Sequence, residues 1–207
     1  MVSRRSSLVA LTAGLGLLSV GGQALAGAQL EEPLADSVRG ALTAAISNSA
    51  PPVPEFSDTE SRLKYLRWLS AMSDRLRRRR HIDFETIETR IEFMRTVWYE
   101  STRAALDPAL VLGLIQIESG FRKNAFSSAG ALGYMQVMPF WMRVIGNGDV
   151  GKLIHMQTNL RFGCVILRHY LALEKGDLFL ALGRYNGSRG KAPYPNAVLG
   201  AKKRWES

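Results

Sequence analysis

Residues 107–118 read DPALVLGLIQIE, and of the whole sequence they say most about the fold. Asp107 followed by Pro108 is typical of a helix start, because the aspartate side chain caps free N–H groups and proline fits the first helical turn. The rest of the stretch is apolar on nearly every face, which predicts a buried helix. Glu118 ends this helix and lies on the same face as Leu114 and Ile115.

The carboxyl group of Glu118 stands out in such surroundings. A charged carboxylate on a buried apolar face costs free energy, and burial raises its pKa. A carboxyl group that stays protonated in this way is suited to act as a general acid. The alternative is a glutamate at the helix end that reaches solvent, and the periodicity by itself slightly favours that alternative.

Two amphipathic helices are predicted before this stretch. Apolar residues recur at three- and four-residue spacing over 59–79 and again over about 84–104, which indicates one buried face on each. Asp83 is placed to cap the second helix. The two helices are expected to pair as a hairpin, with a partner-binding coiled coil as the alternative. Residues 34–46 carry a weaker pattern, that of a marginal amphipathic helix.

Two more helices are predicted after the stretch. One starts near Thr158 or Asn159, with these polar residues as its cap, and its apolar positions continue to Leu171. Another is capped by Asp177 and ends near Tyr185. No convincing strand pattern occurs, so the predicted fold class is mainly α.

Residues 1–26 have the pattern of a secretory signal peptide. Arg4 and Arg5 precede an apolar run over 8–20, and residues 24–26 form a small-x-small cleavage site. The apolar run is too short to span a bilayer comfortably. We therefore expect a periplasmic protein with no stable membrane insertion after cleavage, and an uncleaved N-terminal anchor is the alternative.

Composition restricts the remaining classes of function. The net charge of +9 falls to +7 if cleavage removes the two arginines of the signal. A basic surface favours polyanionic partners, but nothing in the chain resembles a nucleic-acid-binding module, so we expect affinity for the cell wall and not for nucleic acid. Cys164 is the only cysteine and is expected to be a buried, inert thiol. The three histidines, His81, His155 and His169, lack the spacing of metal ligands, and we expect neither metal nor cofactor.

Three motifs in register resemble the soluble lytic transglycosylase family, whose catalytic domain is related to goose-type lysozyme. Residues 118–121, ESGF, are similar to the family's Glu-Ser-x-Phe motif around the catalytic acid. Residues 133–139, GYMQVMP, are similar to its second motif, Gly-Leu-Met-Gln-hydrophobic-x-Pro, and the loop 127–131 before them also matches. Residues 184–187, RYNG, resemble its Ala-Tyr-Asn-Gly motif. The similarity covers about 95–205.

The resemblance implies a lysozyme-like helical domain with a groove for alternating aminosugars. It implies that Glu118 protonates the glycosidic oxygen between N-acetylmuramic acid and N-acetylglucosamine. The same residue then takes the proton from the muramyl C6 hydroxyl, which attacks C1 and closes a 1,6-anhydro ring. In that family the substrate's acetamido group assists, so a single carboxyl suffices where a standard glycosidase needs two. This chemistry agrees with the lack of a good second catalytic carboxylate, for which the sequence offers only the poor candidates Asp149, Glu174 and Asp177.

The resemblance also implies roles for five other residues. Ser127 and Gln136 bind sugar polar groups or orient the reacting site, and Met135 lines the groove. Tyr185 holds Glu118 or the glycan through its hydroxyl, and Asn186 supports the same corner. Each polar residue also has a structural alternative. In these alternatives, Ser127 is a turn residue and Gln136 forms hydrogen bonds with the loop backbone. Tyr185 is a core residue whose hydroxyl has a hydrogen-bond partner, and Asn186 is a helix C-cap.

The chain departs from the family pattern at three places. Tyr134 replaces the usual leucine, and it either stacks on a sugar ring or fills space. Arg184 replaces a small residue, and it either crowds the groove or pairs with an acidic peptide stem. Residues 140–157 do not match closely, and the Phe140–Trp141 pair is either a groove wall or core. These differences concern the substrate subtype and not the reaction class.

The sequence patterns and the resemblance together divide the chain into four parts. Residues 1–26 are the signal peptide, and 27–57 are a flexible lead-in that contains the prolines of 51–54. Residues 58–94 form an N-terminal helical extension, and 95–207 form the catalytic domain. We expect peptidoglycan glycan strands as substrate and an envelope-spanning apparatus as a candidate partner of the N-terminal helices. The alternatives are a hydrolytic lysozyme on the same fold and a non-catalytic peptidoglycan-binding or assembly protein.

Overall fold

A computed structural model of the chain describes residues 29–47, 54–79 and 82–206. The predicted signal peptide at 1–26 lies outside these residues. Across them the chain forms eight α-helices: α1 (Asp36–Ile46), α2 (Thr59–Arg77), α3 (Ile87–Arg103), α4 (Pro108–Glu118), α5 (Phe140–Val144), α6 (Met156–Leu173), α7 (Leu178–Tyr185) and α8 (Pro193–Lys202). Short 3-10 turns occur at Ile82–Phe84 and Val150–Ile154. The described residues contain no strand, only isolated bridges of Leu132 with Phe126 and Val137. The predicted mainly α fold class is confirmed.

Helix α4 is almost completely buried in the core. The Asp107 Oδ1 atom accepts a hydrogen bond from the Ala109 N–H at 2.8 Å, so the predicted cap is confirmed. Residues 109–115 are all buried, as the apolar pattern predicts. Helix α8 packs directly on α4, and Gly113 permits this approach. A Cβ atom at position 113 would lie 2.6 Å from the backbone nitrogen of Lys202.

Helix α8 was not predicted from the sequence. Pro193 is its first residue, and Pro195 is its third. Proline usually breaks a helix because it lacks an N–H group. In the first turn, however, the N–H groups have no acceptor within the helix, so both prolines are tolerated there. The segment is therefore free to continue as a helix. Its buried residues Tyr194 and Val198 face the core.

Helices α2 and α3 pack against each other, as the hairpin prediction requires. The predicted N-cap of α3 is wrong. Thr86 caps this helix, and its Oγ1 atom accepts a hydrogen bond from the Thr89 N–H at 3.3 Å. Asp83 instead lies in the preceding 3-10 turn, where its Oδ2 atom accepts a hydrogen bond from the Lys123 N–H. This turn buries Phe84 against Phe93, with 4.8 Å between ring centroids.

The predicted polar cap of α6 is also wrong. The helix begins at Met156, two residues before the predicted start, and its N-cap His155 makes no side-chain capping bond. Asn159 points into the core instead, for a reason given below. The predicted cap of α7 is confirmed, because Asp177 Oδ1 accepts a hydrogen bond from the Leu180 N–H at 2.9 Å.

Helix α1 confirms the marginal amphipathic helix predicted over 34–46, and it lies within the region predicted to be a flexible lead-in. It packs on α6 and buries Leu42. The four-part division of the chain stays a prediction. Cys164 is buried, and burial raises the pKa of its thiol well above the ordinary value. None of the helices in the described part of the chain is long and apolar enough to cross a membrane.

Candidate active site

Glu118 is the last residue of α4 and is only 4% exposed. Its Oε1 atom accepts a hydrogen bond from the Tyr194 hydroxyl. Its Oε2 atom is buried and has no hydrogen-bond partner in the structure. Burial raises the pKa of the carboxyl group to about 8, although the bond from Tyr194 opposes that rise. The group is therefore buried and mostly protonated at neutral pH, and does not reach solvent.

Tyr194 is a candidate site residue that the sequence did not single out. It is the second residue of α8, and the packing of α8 on α4 brings its hydroxyl to a carboxyl group 76 positions earlier in the chain. The signal available in the sequence was a tyrosine between two prolines, shortly after the third motif. Burial and the negative charge of ionised Glu118 both raise the pKa of Tyr194, so this hydroxyl stays a neutral hydrogen-bond donor.

Tyr185 does not bond to Glu118 in this structure. Its hydroxyl donates a hydrogen bond to the backbone carbonyl of Met135 at 2.8 Å. Tyr185 is fully buried. Its burial and its hydrogen bond agree with the alternative in which Tyr185 is a core residue whose hydroxyl has a partner. Burial raises the pKa of Tyr185 most, and the charge of Glu118 raises it further. Tyr185 thus joins the end of α7 to the second motif.

The second motif forms a loop whose backbone is held by buried amides. Gln136 adopts a positive φ of 48°, and its Nε2 atom donates hydrogen bonds to the carbonyls of Ala125 and Gly133 at 3.1 and 2.9 Å. These contacts match the alternative in which Gln136 bonds to the loop backbone. Met135, expected to line the groove, has no exposed surface; its backbone carbonyl faces Tyr185 instead.

Asn159 holds the same loop from α6. Its Oδ1 atom accepts a hydrogen bond from the Met135 N–H at 2.8 Å, and its Nδ2 atom donates to the carbonyls of Leu132 and Leu153 at 2.8 and 2.9 Å. This use of the side chain explains why Asn159 does not cap α6. Gly133, with φ +75°, makes room for it, since a Cβ atom there would lie 2.4 Å from Asn159 Nδ2.

Ser127 and Asn186 lie at turns beside this loop. The Ser127 hydroxyl oxygen accepts a hydrogen bond from the Ala131 N–H at 3.0 Å, which is the contact of a turn residue. Asn186 is the C-cap residue of α7 and donates a hydrogen bond from Nδ2 to the Ser188 hydroxyl at 3.1 Å. Its Oδ1 atom is buried and has no hydrogen-bond partner. That orphan acceptor keeps Asn186 a candidate for binding substrate.

Comparison with known proteins identifies the domain that carries this site. The family model described as "Transglycosylase SLT domain" matches residues 96–206, more than half of the chain. The chain belongs to this family. A protein named "Transglycosylase" from Enterobacteria phage PRD1 is 35% identical over 114 residues, which are 49% of this chain and 42% of that protein. The chain spans less than half the length of that relative. The predicted family and its helical, lysozyme-like fold are confirmed.

The residues that depart from the family pattern have defined places in the SLT domain. Tyr134 is buried beside Phe93, with 5.0 Å between ring centroids, so it fills space in the core. Phe140 and Trp141 are buried and in contact with each other. Arg184 donates a hydrogen bond from Nε to Glu174 Oε1 at 2.8 Å.

Glu174 is unsuited to be a second catalytic carboxylate of the SLT domain. Arg189 donates to both of its carboxylate oxygens, at 2.7 and 2.8 Å, and Arg184 donates to one of them. The hydrogen bonds from the two guanidinium groups lower the pKa of this carboxyl to about 2. A carboxylate of such low basicity is a poor general base. In the part of the chain that the structure describes, no three His, Cys, Asp or Glu side chains cluster as metal ligands.

Proposed function

We propose that this protein is a lytic transglycosylase that cleaves the β-1,4 bond between N-acetylmuramic acid and N-acetylglucosamine in peptidoglycan. Glu118 serves as the general acid and then as the general base, and the product ends in 1,6-anhydro-muramic acid. One observation carries the proposal. Glu118 is buried within a transglycosylase domain, bonded to the neutral donor Tyr194, and its pKa is raised to about 8.

The first step needs a protonated carboxyl group, and burial supplies it. Glu118 donates its proton to the glycosidic oxygen as the bond from that oxygen to C1 breaks, which releases the 4-hydroxyl of N-acetylglucosamine. The Tyr194 hydroxyl then donates to the carboxylate that remains. By the family resemblance, the substrate's acetamido group stabilises positive charge at C1, which removes the need for a second protein carboxylate.

The second step returns the proton to Glu118. The carboxylate accepts the proton of the muramyl C6 hydroxyl while that oxygen forms a bond to C1 and closes the anhydro ring. A basic carboxylate is suited to this transfer, since a pKa of about 8 makes Glu118 a stronger base than an exposed glutamate. No water is consumed, and the enzyme ends in its starting protonation state.

Two features favour this reaction over hydrolysis. Hydrolysis with one acid and one base needs a second carboxylate that activates water. Glu174 is held as an ion pair by Arg184 and Arg189, and its pKa of about 2 makes it a weak base. Glu118 is also shielded from bulk solvent, which favours attack by a hydroxyl of the bound sugar over attack by water.

The deciding experiment is a digest of purified peptidoglycan, with products identified by mass spectrometry, beside a Glu118→Gln variant. Muropeptides that end in 1,6-anhydro-muramic acid, absent from the variant digest, are the expected result. Reducing-end products would show a hydrolase instead. Tight binding to the sacculus without products would show a non-catalytic binding protein. Glu60→Gln, which removes an exposed carboxylate on α2, is the matched control and should retain full activity.

We also propose that the protein acts in the periplasm after cleavage of residues 1–26. The peptidoglycan substrate lies in that compartment, and the chain carries the pattern of a signal peptide. Fractionation of cells, with N-terminal sequencing of the mature protein, tests both statements. Docking of α2 and α3 to an envelope-spanning apparatus stays a prediction that a cross-linking experiment in cells can test.

A further inference from the structure

Residues 29–34, here called the strap, run along the SLT domain before α1 begins. Gln29 is only 4% exposed. The Trp141 Nε1–H group donates a hydrogen bond to Gln29 Oε1 at 2.9 Å. The Gln29 side chain also lies close enough to the Tyr185 hydroxyl to lower its pKa. A side-chain amide from the strap is thus inserted between an indole donor and a residue of the third motif.

The strap continues with two carboxylates that face arginines. Both carboxylate oxygens of Glu32 accept hydrogen bonds from Arg184 Nη1, at 2.7 and 3.0 Å. Glu31 lies 3.7 Å from Arg143 Nη2. In these contacts, an indole N–H group of the domain donates to an amide of the strap, and guanidinium groups of the domain pair with carboxylates of the strap. Arg184 is already oriented for this contact, because its Nε atom is held by Glu174.

This contact surface adjoins the second and third motifs. Arg184 directly precedes Tyr185, whose hydroxyl bonds to the second motif at Met135. Trp141 follows that motif by two residues and holds the strap through Gln29. A ligand on Trp141 and Arg184 therefore contacts the segments that carry both motifs.

The chemistry of the two donors indicates what they bind. The muramic acid residues of peptidoglycan carry a short peptide stem, which has amide carbonyls and free carboxylates. An indole N–H group donates to a carbonyl, and a guanidinium group suits a carboxylate. We propose that Trp141 and Arg184 form a binding site for the acidic peptide stem, and that the strap covers this site until a glycan strand displaces it. The inference rests on the proposed function, since it assigns the substrate of the same site.

The strap is held in a way that permits displacement. Its ion pairs are partly solvated, with the Glu32 side chain 44% and the Arg184 side chain 24% exposed, and such pairs hold weakly. A ligand that satisfies both Trp141 and Arg184 competes with the strap for these donors.

Binding measurements test the inference independently of cleavage. Glycan strands with their peptide stems, and the same strands stripped by an amidase, are titrated into the full-length protein carrying Glu118→Gln. Adding Glu32→Gln weakens the strap and should raise the affinity for stem-bearing strands about threefold, without changing the affinity for stripped strands. Adding Glu60→Gln removes the same charge from a similar exposed ion pair on α2 and should change neither affinity. Adding Arg184→Gln should make the two affinities equal.

The possible outcomes separate the inference from the proposed reaction. If Glu32→Gln raises the affinity for both kinds of strand equally, the strap covers sugar-binding sites. If it changes neither affinity, or if neither strand binds, the strap does not cover a substrate-binding site. Each of these results overturns the inference. Cleavage by the protein without substitutions is measured beside them. Cleavage with no response to Glu32→Gln refutes only the stem site, whereas the expected response without cleavage refutes only the proposed reaction.

Discussion

Glu118 and Glu174 occupy similar positions and have opposite acid strengths. Glu118 ends α4 and Glu174 is the C-cap residue of α6, and they are 4% and 9% exposed. The pKa of Glu118 is raised to about 8, whereas that of Glu174 is lowered to about 2. The difference lies in their neighbours. Glu118 accepts a hydrogen bond from a phenol hydroxyl, and Glu174 is paired with two guanidinium groups.

The comparison shows that low exposure by itself does not make an acid catalyst. Removal from water favours the neutral carboxyl group, and nearby positive charge favours the ionised one. At Glu118 burial is the larger effect, because Tyr194 provides a hydrogen bond without a full charge. At Glu174 the bonds from Arg184 and Arg189 outweigh burial. One carboxyl group is therefore suited to donate a proton, and the other joins the ends of α6 and α7.

The largest effect is expected from removal of the acid. Glu118→Gln keeps the shape of the side chain but has no proton to transfer, so the rate of muropeptide release should fall by about 100- to 10,000-fold. Circular dichroism and the melting temperature should show that the fold is retained. A variant that keeps more than a tenth of the activity would refute the role of Glu118. Glu174→Gln, by contrast, should retain most of the activity per folded molecule.

Tyr194→Phe removes the one hydrogen bond that favours the ionised form of Glu118. The pKa of Glu118 should then rise above about 8, and the carboxylate formed in the first step loses its donor. We expect a loss of about tenfold in kcat, with the alkaline limb of the pH–rate profile moved to higher pH. An unshifted alkaline limb would show that Tyr194 acts only through packing.

The two carboxyl groups should have opposite effects on stability as pH changes. In the unfolded chain both have pKa values near 4.5. Folded Glu118 binds its proton more tightly, so its contribution to stability decreases as pH rises from about 5 to about 8. Folded Glu174 binds its proton less tightly, so its contribution is present above pH 4.5 and decreases as pH falls towards 2.

Urea unfolding from pH 3 to pH 9 measures these slopes. The stability of Glu118→Gln relative to the protein without substitutions should improve as pH rises from 5 to 8. That of Glu174→Gln should improve as pH falls below 4.5. Slopes of the same sign for both variants would contradict the contrast between the sites.

The smallest effects are expected at neutral pH from substitutions in the Glu174 ion-pair cluster, of which Glu174→Gln is the larger. This change removes the charge that Arg184 and Arg189 share, but both arginines keep contact with solvent or with another acid. Because partly solvated ion pairs contribute little, the melting temperature should fall by only about 3 °C. Arg189→Gln removes a cationic partner of Glu174 instead, and it should lower the melting temperature by less. A decrease of more than about 10 °C in either variant would mean that this cluster is part of the core.

Most helices and their family could be predicted from the sequence, because the signals are local. Asp107 and Asp177 cap the helices that they precede, and apolar spacing marks α2, α3 and α4. Local signals failed where a side chain had a better partner far away. Asn159 leaves the start of α6 to hold the loop at Met135, and Asp83 accepts a hydrogen bond from the Lys123 N–H. Helix α8 was missed because two prolines in a first turn look like a loop.

The sequence alone established the mainly helical fold and the transglycosylase family, and it marked Glu118 as the candidate acid although its periodicity slightly favoured an exposed side chain. The fold class follows from caps and apolar spacing, and the family follows from short motifs, all of which depend on residues close together in the chain. The burial of Glu118, its bond to Tyr194 instead of Tyr185, and the contacts of the strap with Trp141 and Arg184 became known only from the tertiary structure. The pKa and the hydrogen-bond partner of a buried side chain depend on the groups that surround it after folding has excluded water. Folding brings these groups together from distant parts of the chain.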